Sequence, residues 1–183
     1  MALDDVSIIA DVTDTLVGLL GGLDVTLESP ADLKGATGSF EKVNLFLYQV
    51  VEHAFTKNLP PSAPDDGTLV PPPLTLRLYY LLTPYASDPR SAQKVLGHAM
   101  RVFYDNAVVT GDHLVEPLRA AVDRLSIVLW SSKLEDLTRI WTAMLTPYRM
   151  SVCYEVRVVP IASTRATSTT RVRERVTTFG RAP

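Results

Sequence analysis

Apolar side chains recur at helical spacing through Ile8, Ile9, Val12, Leu16, Leu19 and Leu20, with Asp11 and Asp14 on the opposite side. That pattern predicts a helix over about residues 4–20. Asp4 and Asp5 fall in its first turn, where the backbone dipole favours negative charge, and Gly21-Gly22 ends it. Residues 23–28 then alternate apolar and polar, which predicts a short strand. In residues 43–51, Leu45 and Leu47 point one way and Phe46, Tyr48 and Val50 the other. Apolar groups on both faces predict a central strand covered by helices on both sides. Residues 74–82 form the next strand, with Leu74, Leu76, Leu78, Tyr80 and Leu82 on one face. Thr75, Arg77, Tyr79 and Leu81 line its other face.

Between these strands the chain is broken by Pro60-Pro61, by Pro64-Asp65-Asp66-Gly67 and by Pro71-Pro72-Pro73. It reads as one long loop over residues 58–73. Asp65-Asp66 before a glycine is turn chemistry in preference to a catalytic carboxylate pair. Asp88-Pro89 supplies a cap and a proline in the first helical turn. The helix it opens runs to about residue 104 and buries Ala92, Val95, Leu96, Ala99 and Phe103. A short helix is expected over about residues 114–124 and a strand over 126–130. Ser132-Lys133-Leu134-Glu135 matches a capping box, in which serine and glutamate satisfy each other's free amides. The helix behind it buries Leu134, Leu137, Ile140, Trp141 and Leu145. Residues 150–161 form a long strand, with Val152, Tyr154, Val156 and Val158 on one side and Cys153, Glu155, Arg157 and Val159 on the other.

The expected fold class is α/β: a single mixed sheet of about five strands flanked by helices, with an extended C-terminal arm. Helices do not alternate with strands throughout, so the sheet is not doubly wound. The domain division is residues 1–162 for the α/β domain and 163–183 for the arm. Within the arm, Arg171, Arg173 and Arg175 alternate with Val172, Glu174 and Val176. In a strand the three arginines share one face, and in a helix they scatter. The β-branched content favours the strand, and a lone strand needs a sheet edge to join.

Charge sharpens this picture. Residues 149–183 hold seven arginines against Glu155 and Glu174, a net +5; with −2 for the whole chain, the remainder carries −7. An acidic body with a basic tail can dock tail to body, between copies or onto a partner, and equally such a tail can stay solvated.

The 183 residues are 46% hydrophobic and 21% charged, which fits one globular domain and excludes wholesale disorder. The net charge argues against a nucleic-acid-coating protein and leaves only the arginine arm to suggest such binding. Cys153 is the one cysteine, which excludes an intrachain disulfide and a cysteine-based zinc cluster. His53, His98 and His113 lie far apart without metal-ligand spacing, and His98 reads as a hydrogen-bonded structural histidine. Phosphate-cradling glycine loops, a G-x-S-x-G elbow and H-E-x-x-H are all missing. Tyr79, Tyr80, Trp130 and Trp141 sit in apolar patterns, which favours core packing over a stacking platform. Asp11 and Asp14 interrupt the first apolar stretch, so it is not a membrane span, and Met-Ala-Leu-Asp-Asp is acidic where a secretory signal is basic. The expectation is a cytoplasmic protein, not an enzyme, with no cofactor, metal, nucleic-acid or membrane partner.

Longer strings go further. The blocks from Asn44 to Val50, Pro72 to Tyr85, Ala92 to Arg101 and Leu137 to Val158 follow one another in order. The most telling element is Trp141, four intervening residues and Thr146-Pro147-Tyr148, followed by Tyr154-Glu155-Val156. This succession resembles the N-terminal domain of the cap, or tail-terminator, proteins of extracellular contractile injection systems. Those systems are phage-tail-like particles of the antifeeding-prophage and Photorhabdus virulence cassette type. The resemblance spans about residues 5–162.

It implies an assembly role without catalytic residues to transfer. A homohexameric cap closes the end distal to the baseplate, meeting the last ring of the inner tube protein and of the contractile sheath protein. Head-to-tail ring stacks do not close by themselves, so a terminator must bind the last ring on one face and nothing on the other. Strand addition to unpaired sheath edges suits such a contact. The candidate contact residues are Arg171, Val172, Arg173, Arg175 and Val176, pairing with a neighbouring subunit or a sheath arm. Two alternatives stay open: a baseplate or connector ring of the same kind of particle, and a small α/β enzyme or ligand-binding domain.

Overall fold

The computed structural model describes residues 7–33, 41–54, 56, 58–65, 68–161, 163, 165 and 167–168. Helix α1 (Ile8–Leu19) begins at Ser7, whose hydroxyl donates to Asp11 Oδ2 at 2.7 Å. It buries Ile8, Val12 and Leu16, and the chain turns away after Leu20. Strand β1 (Asp24–Thr26) runs parallel to β2 (Lys42–Glu52), with Asp24 opposite Lys42. β3 (Ser62–Asp65) and β4 (Thr68–Val70) make a small antiparallel pair before β5 (Leu74–Tyr85) returns beside β2. Then come α2 (Pro89–Asp105), β6 (Val108–Thr110), a 3-10 turn at Gly111–His113, α3 (Glu116–Ala121) and β7 (Arg124–Trp130). Helix α4 (Leu134–Ala143), β8 (Val152–Ile161) and the short β9 (Thr167–Ser168) complete the described chain.

The main sheet has six strands in the order β1-β2-β5-β8-β7-β6, and a second, three-stranded sheet joins β3-β4-β9. Only the β1–β2 pair is parallel among the described strands, so the class is the expected mixed α/β, with one strand more in the main sheet. The extra strand is β6, a three-residue edge too short to announce itself in a sequence.

Helices α1, α2 and α3 cover one face. Period-2 alternation sends Leu76, Leu78, Tyr80 and Leu82 of β5 and Tyr154 and Val156 of β8 into this layer. Val12, Leu16, Ala99, Phe103 and Leu118 meet them from the helices, and each fully buried large side chain of this kind contributes roughly 1.5–3 kcal/mol. Asp88 caps α2 as its sequence predicts, accepting from the amides of Arg90 at 2.9 Å and Ser91 at 3.0 Å. The Ser91 hydrogen bonds hold its carboxyl below the usual range.

Four expectations need correction. The central strands are β5 and β8, and β2 lies next to the β1 edge. A bulge between Leu47 and Gln49 breaks its register, and Val50 beyond it is 44% exposed. The segment 58–73 is not simply a loop, because β3 and β4 pair within it. Pro64 is tolerated there because it falls in the irregular stretch between the Ser62 and Asp65 pairings, on an edge strand of its sheet. In β8 the register shifts so that Leu76 faces Val159 while Arg77 faces Arg157. The extra residue carries Val159 onto the helix-covered face with Val156, not beside Cys153 and Glu155. Finally, α4 starts one residue late: Lys133 is its N-cap, no side chain caps it, and the serine–glutamate box does not form.

Candidate assembly surface

The other face of the sheet is crossed by α4 alone among the described helices. Trp141 packs there on Leu81 and Cys153, with Tyr48, Leu137, Ile140 and Met144 half-buried around them. The ends of the helix overhang. Leu134 and Leu145, both expected in the buried face, are 63% and 82% exposed.

The Trp141 to Tyr148 element is a hook. The amide of Leu145 donates to Thr142 O at 3.0 Å and that of Thr146 to Trp141 O at 3.3 Å. These two bonds form a Schellman C-cap, whose turning residue is usually glycine because its φ is positive. Here that residue is Leu145, with φ 51°. Pro147 then prevents the helix from resuming. Tyr148 comes back edge-on to Trp141, with ring centroids 6.3 Å apart. The indole Nε1 donates to Ser151 Oγ at 3.1 Å, and the Arg149 guanidinium sits 4.9 Å above the Tyr85 ring. The return segment is thus pinned at three points, and its tip holds a leucine out into water. A left-handed leucine costs about 1 kcal/mol or more relative to glycine, and among the described residues no burial offsets it. Met150 and Trp130 are also partly open to water, at 38% and 41% exposed.

Beside α4 the same face turns polar. Glu155 on β8 is fully buried, and both its oxygens are engaged. Arg157 Nε and Nη2 donate to Oε2 at 2.9 and 2.7 Å, while Arg77 Nη1 and the Tyr79 hydroxyl donate to Oε1 at 3.4 and 3.3 Å. The hydrogen bonds to Glu155 hold the Arg157 guanidinium above its usual range. Burial, then the Glu155 charge, pushes the Tyr79 hydroxyl up. Trp130 stands edge-on to Tyr79, with centroids 5.6 Å apart. The carboxylate anchors two arginines whose side chains are 29% and 44% exposed, so the face presents fixed positive charge framed by aromatic rings.

Of the residues singled out by sequence, Tyr80, Trp141, Tyr79 and Cys153 are buried, and Trp130 is not. His98 is exposed on the outer side of α2 rather than built into the structure. Among the described residues no group of three or more His, Cys, Asp or Glu side chains is placed to hold a metal ion. Among them, too, no helix is long and apolar enough to cross a membrane. Arg171, Val172, Arg173, Arg175 and Val176 lie outside the described residues. The root of the arm is described: Ser168 pairs with Thr68 and Thr167 with Leu69, so β9 joins the small sheet. Sequence reasoning missed the hook tip and the Glu155 cluster. Pro147, two residues past a tip without glycine, was the available signal for the first. The shared outer faces of Arg77, Tyr79, Glu155 and Arg157 were the signal for the second.

Two solved structures share this fold. One is the sheath/tube terminator of an extracellular contractile injection system, PVC, in its extended state. It aligns with a TM-score of 0.70 and 19% identity over 96% of this chain and 64% of its own. The other is the tube-terminating cap of the anti-feeding prophage, with a TM-score of 0.65 and 20% identity over 93% of this chain and 61% of its own. By fold, then, this chain is similar to the mixed α/β domain that both of those structures contain. The chain belongs to the Pvc16 N-terminal domain family, whose sequence model matches residues 9–175. That match takes in β9 and the first arginines of the arm. The chain spans less than two thirds of the length of either solved relative. No curated protein matches its sequence.

Proposed function

We propose that this chain forms a homohexameric ring that ends inner-tube and sheath polymerisation in a contractile injection particle. The ring links tube and sheath at the end distal to the baseplate. The role is non-catalytic, and the chain works from the cytoplasm of the producing cell as part of a particle released later. Family membership and the shared fold support this reading. The observation of this structure that carries it is the hook: a leucine held in a costly conformation at a rigid tip gains only when a partner buries it.

The division of labour follows. Residues 1–162 form the ring body, and the arm, residues 163–183, laces it to a neighbour. Arg171, Arg173 and Arg175 on one side of a strand match an acidic surface, and Val172 and Val176 complete the pairing on the other. Their partner is an unpaired sheet edge of a neighbouring subunit or of the sheath. A tagged chain located by negative-stain imaging tests the role: the label falls at the end away from the baseplate. A label at the baseplate overturns it. Deleting residues 163–183 tests the arm: particles lose their caps, and unchanged rings and particles contradict it.

A further inference from the structure

At the C-terminal end of α2, Met100, Phe103 and Tyr104 face Ile127 and Leu129 of β7 and Tyr154 of β8 across a cavity of about 140 Å³. Phe103 and Tyr154 close its floor, edge to face at 4.9 Å. Its walls are open, for Tyr104 is 82% and Leu129 51% exposed. The space is close to the ~150 Å³ of a protein cavity that takes up benzene, and so suits one large apolar side chain. Charge selects which. Nearest the groove, the outer side of α2 exposes Lys94 and Arg101 against one acid, Asp105, while Arg90 lies about 15 Å further back at the start of the helix. Leu145 is flanked by exposed Arg139 and Arg149 and would bring like charge to that rim. Leu27, 45% exposed just after β1, is flanked by exposed Asp24, Glu28 and Asp32.

Leu27 does not reach the groove of its own chain. β1 and β7 are separated by β2, β5 and β8, and four strand spacings amount to about 19 Å. We propose that Leu27 of one copy seats in the α2–β7 groove of the next, its acidic neighbours meeting the basic side of α2. The knob lies at one edge of the sheet and the hole towards the other. Each copy therefore offers one of each, and the contact is head to tail, the kind that continues until a ring closes. The contact rests on the ring reading above and gives that ring its subunit interface.

The test is a cysteine pair, Leu27→Cys with Leu129→Cys in one chain. Oxidation should give a ladder of cross-linked species ending at a closed ring, while each single variant stays uncross-linked. Native Cys153 is 1% exposed and adds no bridge. If the double variant does not cross-link while the wild-type chain is oligomeric by native mass, the contact is wrong and the ring reading stands. If the wild-type chain is monomeric throughout a concentration series, both fall. Cross-linking of Leu27→Cys alone also overturns the contact, because knob would then be meeting knob. Lys94→Glu with Arg101→Glu should weaken self-association about tenfold or more at low salt. Adding Asp24→Lys and Glu28→Lys to that chain should restore it, and failure to restore contradicts the charge pairing. If Leu129→Asp leaves the ring intact and instead loses the tube or sheath protein, the groove belongs to that partner and the inference fails.

Discussion

On the face covered by α1, α2 and α3, Val12, Leu78, Tyr80, Ala99, Leu118 and Val156 are wholly removed from water. On the face crossed by α4, burial is comparable at Leu81, Trp141 and Cys153. It then gives way to Arg77, Arg157 and Trp130, all open to solvent around the buried Glu155. Strands β5 and β8 supply both layers from alternate positions, so the difference is not one of strand quality. Among the described residues, one face has enough helix over it to exclude water and the other does not. The sealed face carries the stability of the domain. The open face keeps its rigid shape through a hydrogen-bonded carboxylate and a pinned hook, and so remains available for contacts with other molecules.

Substitutions sharpen this division. The largest effect is expected on the sealed face: Leu16→Ala should lower unfolding free energy by about 2–5 kcal/mol, read by chemical denaturation. A loss below about 1 kcal/mol would mean that α1 is not part of the core. Next, Arg77→Met with Arg157→Met should cost about 3 kcal/mol or more, because buried Glu155 would lose both its cationic partners and keep only the Tyr79 hydroxyl. Glu155→Gln should cost less, since the two guanidinium groups keep water. The reverse ranking would contradict the anchoring role of the carboxylate.

An alkaline titration reaches both faces. Burial raises Tyr80 and Tyr154 to about 12, and also raises Tyr48, Tyr79 and Tyr85. A folded-state value above the free value of 10.0 means that the contribution is whole below pH 10 and is lost as pH climbs through about 12. Stability should therefore fall steeply over that window while tyrosinate absorbance lags behind a free-tyrosine curve. A flat profile contradicts it. The smallest effect has the opposite sign: Leu145→Gly should gain up to about 1 kcal/mol by relieving the positive φ, yet weaken attachment to the particle. A variant that is both more stable and fully competent would remove the hook from the account.

Sequence periodicity made the sealed face readable, because 3.6- and 2-residue repeats of large apolar groups have few other uses. Ile8, Val12 and Leu16, the alternating Leu76, Leu78 and Tyr80, and the Asp88 cap are all recovered by the structure. The open face was half readable. The helical stripe places Trp141 in the core, where it lies, but it also puts Leu134 and Leu145 there, because a stripe does not say where its helix ends. A single extra residue in β8 carries Val159 across the sheet, and with valine at both 158 and 159 the bulge leaves no mark in the alternation. Glu155 and Arg77 are 78 residues apart, and only the antiparallel register of β5 and β8 brings them together.

The central claim is that this chain stops a stacked polymer. The most direct measurement is the length distribution of tube–sheath particles, imaged by electron microscopy, assembled with and without it. With the chain, particles should be capped and uniform; without it, tubes and sheaths should overrun to long and variable lengths. Uniform particles of normal length in its absence would contradict the claim.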